Sequence, residues 1–180
     1  MAHAPIRHLV LVGLMGTGKT TTGRILADRL GWPLRDSDPE IEALTGRTVK
    51  ELRDEVGTDA IHDLEARALL AALAGDGPDV VCGAASVVDR RDCRQAMRAD
   101  GVVVAWLTVS AEIEAERFLS GTHRPWYGDD PEEFLARQAR EREPEFRSLD
   151  PVIVSTDIAS AEEVADAILA GIRARGIDLA

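Results

Sequence analysis

The sequence has few cysteines and no long hydrophobic run. Its two cysteines, Cys82 and Cys93, fit neither a disulfide framework nor a zinc site by number or spacing, which favours a reducing compartment. No apolar stretch approaches the roughly 20 residues that a membrane-spanning helix needs. The N-terminus also lacks the basic start and apolar stretch of a secretory signal. These absences predict a cytoplasmic protein with no membrane as a partner.

Basic charge is also scarce. The chain carries 21 Lys and Arg residues against 32 Asp and Glu residues, a net charge of −11. Because clustered cations bind a nucleic-acid backbone, this balance argues against nucleic acid as a main partner, but not against a nucleotide. With 180 residues the chain suits one hydrophobic core. We therefore expect a single domain over residues 1–180, acting as a monomer or a weak dimer.

A glycine-rich loop lies between an apolar stretch, residues 9–12, and a helical pattern. Residues 13–20 read Gly-Leu-Met-Gly-Thr-Gly-Lys-Thr and fit the phosphate-binding pattern G-x-x-x-x-G-K-[ST]. Glycines let backbone N–H groups curl around phosphate oxygens at a helix start. Lys19 can reach the outer phosphates, and the Thr20 hydroxyl can bind a bridging Mg²⁺ ion. A turn without a ligand is the alternative, but the order strand, loop, helix favours a nucleoside triphosphate. The predicted nucleotide-binding residues in this segment are Met15, Gly16, Thr17, Gly18, Lys19, Thr20 and Thr21.

The hydrophobic pattern predicts a three-layer α/β fold with a parallel sheet. Four continuous apolar stretches, at residues 9–12, 80–82, 102–107 and 152–154, are typical of strands covered on both faces, and residues 33–35 form a weaker fifth. Helical segments alternate with them. Capping boxes at residues 48–51 and 160–163 predict two helix starts, and another helix spans about residues 59–73.

Two carboxylates follow the second predicted strand. Ligands bind beyond the carboxyl ends of parallel strands, so Asp36 is placed to bind Mg²⁺ together with Thr20. Asp38 could accept the proton of an attacking hydroxyl. The alternative is that Asp36 or Asp38 caps the helix that starts near Pro39.

Residues 120–131 form a polar segment rich in turn residues between two predicted helices. A connection of this length in a compact domain is often a lid, and phosphoryl transfer uses a mobile cation such as Arg124. The alternative is a solvated surface loop with Trp126 and Tyr127 folded onto the core.

Together these residues resemble the shikimate kinase family over nearly the whole chain. The resemblance rests on the glycine loop and on further blocks at matching offsets, which are Gly31-Trp32-Pro33, Asp36-Ser37-Asp38, Glu40-Ile41-Glu42, Thr45-Gly46-Arg47, Arg124-Pro125, and Arg142 with Pro144. It implies a P-loop kinase fold with a five-stranded parallel sheet, an acceptor-binding helical region at about residues 38–74 and a mobile lid at about 119–131.

The resemblance also implies roles for single residues. Arg117 matches the family's adenine-stacking arginine and Arg124 its lid arginine, which joins Lys19 and Asp38 as catalytic. Arg142 matches an arginine that binds the acceptor's carboxylate, and Glu65 lines the acceptor site. Asp38 matches the acceptor-hydroxyl ligand and Asp36 the magnesium ligand.

The sequence departs from the family in the acceptor half of the site. Gly83-Ala84-Ala85 replaces a Gly-Gly-Gly turn, so two added methyl groups reshape the wall that begins at Gly83. Ile61 and His62 replace an aromatic residue and an arginine, and Arg53 replaces another aromatic residue. Imidazole cannot reproduce a forked arginine–carboxylate pair. Arg53 compensates for the missing arginine if its side chain points into the site; the alternative is that it is a solvated surface arginine. His62 is either an acceptor ligand or a helix residue without a role.

The predicted function is an ATP-dependent, Mg²⁺-using kinase that phosphorylates a hydroxyl of a shikimate-like or other small polyol. The altered acceptor half favours an acceptor other than shikimate. The first alternative is a nucleotide-binding protein whose acceptor site is not functional. A kinase for nucleotides or gluconate-like acids is a third reading, and the Asp-x-Asp and Thr-Gly-Arg blocks weigh against it.

Overall fold

Strands and helices alternate along the chain and form one parallel sheet with helices around it. The computed structural model describes residues 5–120, 131–157 and 159–179. Within these ranges the strands are β1 (His8–Val12), β2 (Leu34–Asp36), β3 (Asp79–Cys82), β4 (Val102–Thr108) and β5 (Val152–Ser155). All pairings are parallel, in the order β2-β3-β1-β4-β5. The predicted three-layer fold with a five-stranded parallel sheet is confirmed.

The helix predicted at about residues 59–73 and the two helix starts predicted from capping boxes are confirmed. The helices of the described residues are α1 (Lys19–Leu30), α2 (Ser37–Thr45), α3 (Val49–Val56), α4 (Thr58–Leu73), α5 (Arg91–Met97), α6 (Ala111–Ser120), α7 (Pro131–Arg147) and α8 (Ala161–Ala174), with a 3₁₀ segment at Ala85–Asp89. Both predicted capping boxes are present, at Thr48 before α3 and at Ser160 before α8. In each, the cap hydroxyl accepts a hydrogen bond from the backbone N–H of a glutamate three residues later, and the glutamate carboxylate accepts one from the backbone N–H of the cap residue. These two hydrogen bonds fix the start of the helix.

Two hydrophobic clusters fill the two sides of the sheet. Leu9 and Leu11 of β1 join the cluster that contains residues of α1 and α8, whereas Val10 and Val12 join the cluster that contains residues of α4, α5 and α7. Since neighbouring side chains in a strand point to opposite faces, both parities of β1 must be apolar, as its sequence is.

A third, smaller cluster lies in the predicted acceptor-binding helical region. It consists of Ile41 from α2, Leu52 from α3 and Ile61 from α4, each buried. Ile61 is the residue that replaces an aromatic one, and its side chain is wholly inside this cluster. The cluster packs α2, α3 and the first turn of α4 against one another.

The central position of β1 places the glycine loop at a switch in chain direction. The chain runs from β1 outward to β2 and β3 on one side, then crosses to β4 and β5 on the other. Ligands of open parallel sheets bind at such a point, beyond the carboxyl ends of the strands. In the described residues no helix is both long and apolar enough to cross a membrane. The centre of the predicted lid, residues 121–130 with Arg124, lies outside the described residues.

Candidate functional site

The glycine loop connects the end of β1 to the start of α1 and encloses the Lys19 ammonium. Lys19 Nζ donates to the carbonyl oxygens of Gly13 at 2.9 Å and Leu14 at 2.8 Å. Gly13 adopts a φ of +149°, and a Cβ there would lie 2.5 Å from the Leu107 carbonyl oxygen, so the position requires glycine. Gly18 adopts a φ of +84° immediately before α1. The loop therefore curves tightly around the lysine at the N-terminus of a helix, which is an anion-binding geometry.

Of the other residues predicted to bind the nucleotide, one is buried and supports the loop, and others are exposed to solvent in full or in part. The Thr17 side chain is buried, and its hydroxyl donates to the Leu14 carbonyl oxygen at 2.9 Å, which braces the loop. Met15 and Gly16 are partly exposed at the crest of the loop, and Thr21 is exposed in the first turn of α1.

Arg117, which the resemblance matches to an adenine-stacking arginine, reaches the glycine loop from α6. Its Nη1 donates to the Gly16 carbonyl oxygen at 3.3 Å and to the Thr156 hydroxyl at 3.1 Å, and Nη2 donates to the Thr156 carbonyl oxygen at 2.6 Å. The guanidinium plane is thereby fixed next to the loop. Sequence reasoning missed Thr156, whose only signal was its place two residues after the last predicted strand.

Asp36 contacts the glycine-loop helix and does not use its side chain as a cap. Thr20 Oγ1 donates to Asp36 Oδ2 at 2.7 Å, and no capping hydrogen bond is made by the Asp36 side chain to α2 among the described residues. Burial raises the pKa of Asp36, an effect that the Thr20 hydrogen bond partly offsets. A hydroxyl and a buried carboxylate are hard oxygen donors, and a divalent cation would relieve the cost of burying that charge. The pair fits the predicted Mg²⁺ site.

Glu65, which the resemblance assigns to the acceptor site, is a buried carboxyl on α4. It is only 6% exposed on α4, and the Ser86 hydroxyl donates a short hydrogen bond to its Oε2. Burial raises the pKa of Glu65, the hydrogen bond from Ser86 lowers it, and the charges of His62 and Arg53 lower it further. The Asp38 carboxylate acts in the opposite direction. The structure thus brings His62, Glu65, Asp38 and Arg53 into one electrostatic neighbourhood.

The Gly83-Ala84-Ala85 turn accommodates its methyl groups without backbone strain. Gly83 N–H donates to the Leu11 carbonyl oxygen at 3.0 Å, so the turn leaves the sheet beside β1. Ala84 has φ −63° and ψ 158°, an ordinary extended conformation, and packs against the cluster behind the sheet. Ser86 follows at once and reaches Glu65, a contact that the sequence did not suggest.

Arg142 pairs with a carboxylate of the protein itself. From α7, its Nε donates to Asp89 Oδ1 at 3.0 Å and its Nη2 donates to Asp89 Oδ2 at 2.7 Å. Nη1 donates a short hydrogen bond to Gln138 Oε1. The side chain is 13% exposed, so its forked donors are largely committed within the protein. Nothing in the sequence around Asp89, at the end of the 3₁₀ segment, pointed to this pair.

Glu114 is a buried carboxyl near the glycine loop that sequence reasoning missed. It lies on α6 at 2% exposure, and its Oε1 has no hydrogen-bond partner among the described residues. Burial raises the pKa of Glu114 to about 7, and the Lys19 charge lowers it only partly. A glutamate in a predicted helix gives no local sign of such burial.

The sequence and the fold of this chain are both similar to those of known proteins. Residues 15–173 match the family model described as shikimate kinase. The chain is 37% identical over 172 residues to a shikimate kinase of Symbiobacterium thermophilum, which covers 94% of this chain and 98% of that relative. It is 37% identical over 169 residues to a shikimate kinase of Thermobifida fusca, with coverage of 93% and 95%. The structure of a shikimate kinase from Acinetobacter baumannii in complex with shikimate superposes with a TM-score of 0.88, at 27% identity and 96% coverage of each chain.

Proposed function

Since this chain belongs to the shikimate kinase family, we propose that it transfers the γ-phosphoryl group of ATP to a hydroxyl of a small polyol acid. Shikimate, which the altered acceptor half of the sequence did not favour, becomes the first candidate because the similar structure from Acinetobacter baumannii is a complex with shikimate. Family membership makes the chain an ATP-dependent phosphotransferase with a hydroxyl group as acceptor. The observation that carries the finer proposal is the 2.7 Å hydrogen bond from Thr20 to Asp36. It joins the glycine loop to the strand end from which Asp38 follows two residues later.

The nucleotide half of the proposed site consists of the glycine loop and the side chains around it. Backbone N–H groups of residues 15–21 and the Lys19 ammonium bind the phosphates of ATP. Thr20 and Asp36 supply oxygen ligands for Mg²⁺, which neutralises charge on the phosphates when bound. Arg117, fixed by Gly16 and Thr156, presents its guanidinium face to the adenine. Arg124 is proposed to act on the γ-phosphate as the lid arginine.

The acceptor half is proposed to lie around Glu65. Asp38 accepts a hydrogen bond from the attacking hydroxyl and takes its proton as the phosphoryl group transfers in line. Glu65 accepts a further hydroxyl of the polyol, and Gly83 allows the ligand to approach the turn after β3. His62 and Arg142 complete the proposed lining on the sides of α4 and α7.

The free thiols and the net charge indicate the compartment and the kind of partner in which the proposed reaction takes place. Cys82 and Cys93 are free and buried, which suits a reducing cytoplasm. The net charge of −11 supports a small-molecule partner rather than nucleic acid or an anionic membrane. We expect one domain over residues 1–180 that acts as a monomer or a weak dimer.

A nucleotide-binding protein without a functional acceptor site is not favoured. Such a protein has no need to keep a buried carboxylate, yet Glu65 is buried, held by Ser86 and surrounded by charged side chains. The added methyl groups of the turn also do not distort its backbone at Ala84.

The chain offers a matched pair of lysines for the test, because Lys19 and Lys50 are its only two. Lys19→Ala should abolish ATP-dependent phosphorylation of shikimate, or of whichever polyol in a panel of cyclitols, sugar acids and nucleosides is accepted, and should leave the fold intact by circular dichroism. Lys50 is exposed on α3, so Lys50→Ala should retain the activity. Undiminished transfer in Lys19→Ala would reject the loop assignment, and a wild type that binds ATP but transfers to no acceptor would reject the proposed reaction.

A further inference from the structure

Arg53 lies on α3 with a buried guanidinium nitrogen that has no hydrogen-bond partner in the part of the chain that the structure describes. The residue is partly buried, and its Nε contacts no hydrogen-bond acceptor among the described residues. The guanidinium is close enough to Glu65 for its positive charge to lower the pKa of that carboxyl. A buried, charged donor without an acceptor destabilises the protein, and a ligand that supplies the acceptor removes this penalty.

Arg142, which the resemblance assigns to the acceptor's carboxylate, is already engaged. Its Nε and Nη2 form a forked pair with Asp89, and its Nη1 donates to Gln138. An incoming carboxylate would have to displace Asp89, which has the same chemistry and is held by the chain at no translational cost. The geometry therefore disfavours Arg142 as the principal carboxylate ligand.

His62, the other residue at a position assigned to carboxylate binding, has the wrong shape for a forked contact. Its imidazole presents single nitrogens on opposite sides of a ring, whereas a guanidinium presents two parallel N–H groups. His62 is half-buried and adds to the charge around Glu65, which suits hydrogen bonding to a hydroxyl better than forked binding of a carboxylate.

We propose that Arg53 binds the carboxylate of the acceptor and so determines the specificity of this enzyme for polyol acids. The inference rests on the proposed function and adds to it a different location for the acid group. The carboxylate lies on the α3 side of the acceptor site, while the reacting hydroxyl faces Asp38. An acceptor without the acid leaves the Arg53 Nε unpaired and binds more weakly.

The test compares shikimate with its methyl ester, which keeps the ring hydroxyls and removes the charge. Calorimetry measures the affinity of each ligand for the full chain in the presence of a non-hydrolysable ATP analogue. In Arg53→Met the affinity for shikimate should fall by roughly ten- to a hundredfold, the range expected for one charged hydrogen bond. The affinity for the ester should change by less than about threefold, the size of an ordinary surface substitution. Arg53→Lys should recover part of the loss, because an ammonium keeps the charge without the fork.

Two further arginine variants separate this role from a general loss of charge. Arg67 is exposed on α4, and Arg67→Met should leave both affinities unchanged. Arg142→Met should affect acid and ester alike. The proposal is overturned if wild type binds acid and ester equally, if Arg53→Met loses both to the same extent, or if the preference for the acid disappears with Arg142→Met instead. The Lys variant decides the matter if the Met variant does not fold.

Ligand binding and phosphoryl transfer are measured separately, so that one result can contradict the proposed reaction and another the proposed role of Arg53. If wild type binds shikimate more tightly than the ester, Arg53→Met removes that preference and neither ligand is phosphorylated, the proposed reaction is wrong while the role of Arg53 stands. If wild type phosphorylates a polyol and shows no preference for the acid, the reaction stands and the inference about Arg53 falls.

Discussion

Removing the buried carboxyl of Glu114 should change how the stability of this protein depends on pH. Burial raises the pKa of Glu114 from the ordinary 4.5 to about 7. Between these two values the unfolded chain has released the proton and the folded chain keeps it. Folding therefore takes up a proton in this window, and the free energy of unfolding falls as the pH rises from 4.5 to about 7.

The size of the effect follows from the shift. A shift of one pKa unit corresponds to about 1.4 kcal/mol, so a change from 4.5 to about 7 amounts to about 3 kcal/mol over the whole window. Glu114→Gln has no proton to lose. Its stability advantage over wild type should grow by about 2–3 kcal/mol between about pH 5 and pH 8.

Urea unfolding at several pH values between about 5 and 8, followed by circular dichroism, measures this difference. Glu116 is exposed on the same helix, so Glu116→Gln is the matched control. Its free energy of unfolding should change with pH in parallel with that of wild type. Asp36 and Glu65 also have raised pKa values and give wild type and both variants a common slope, which cancels in the difference. Parallel profiles for wild type and Glu114→Gln would refute the reasoning, because a carboxyl that titrates alike in both states contributes no pH dependence.

Two further substitutions test the site and the core. Asp38→Asn should lower the turnover of the accepted polyol far more than the affinity for ATP, because Asp38 is proposed to receive the hydroxyl proton; a calorimetric loss of ATP affinity with turnover retained would contradict that role. Gly23→Ala should destabilise the protein by about 1–3 kcal/mol in urea unfolding, because its Cβ would lie 2.5 Å from Cys82 Sγ and 3.2 Å from Leu34 Cδ1. The cost should shrink in a Cys82→Ala background, and an equal cost in both backgrounds would exclude the clash.

The features that could be predicted from the sequence are those that neighbouring residues determine. The glycine loop, the apolar strands and the capping boxes at Thr48 and Ser160 depend on residues within a few positions of each other, so their patterns are visible in the chain. The weak strand predicted at residues 33–35 lies one residue later, at Leu34–Asp36, because three residues carry little periodicity. For Asp36 the sequence left capping and metal binding open, and only its contact with Thr20 favours the second.

The contacts that could not be predicted join distant parts of the chain. Arg142 and Asp89 are 53 residues apart, and Arg117 and Thr156 are 39 apart. Neither pair leaves a local pattern, because the partners meet only after the sheet and its helices have packed. Arginine side chains are usually exposed, so the residue type alone favours a solvated surface position for Arg53. In the structure its Nε is buried, and its charge is close enough to lower the pKa of Glu65.

The direction of Arg53 follows from the short helix that carries it. The capping box at Thr48 fixes the start of α3, and Gly57 ends the helix after two turns. Leu52 enters the small cluster with Ile41 and Ile61, which anchors one face of α3. Successive residues of a helix are separated by about 100°, so Arg53 projects beside that anchored face rather than opposite to it. The apolar side chain of Ile61 thus packs α4 against α3, and this packing sets the direction in which Arg53 leaves the helix.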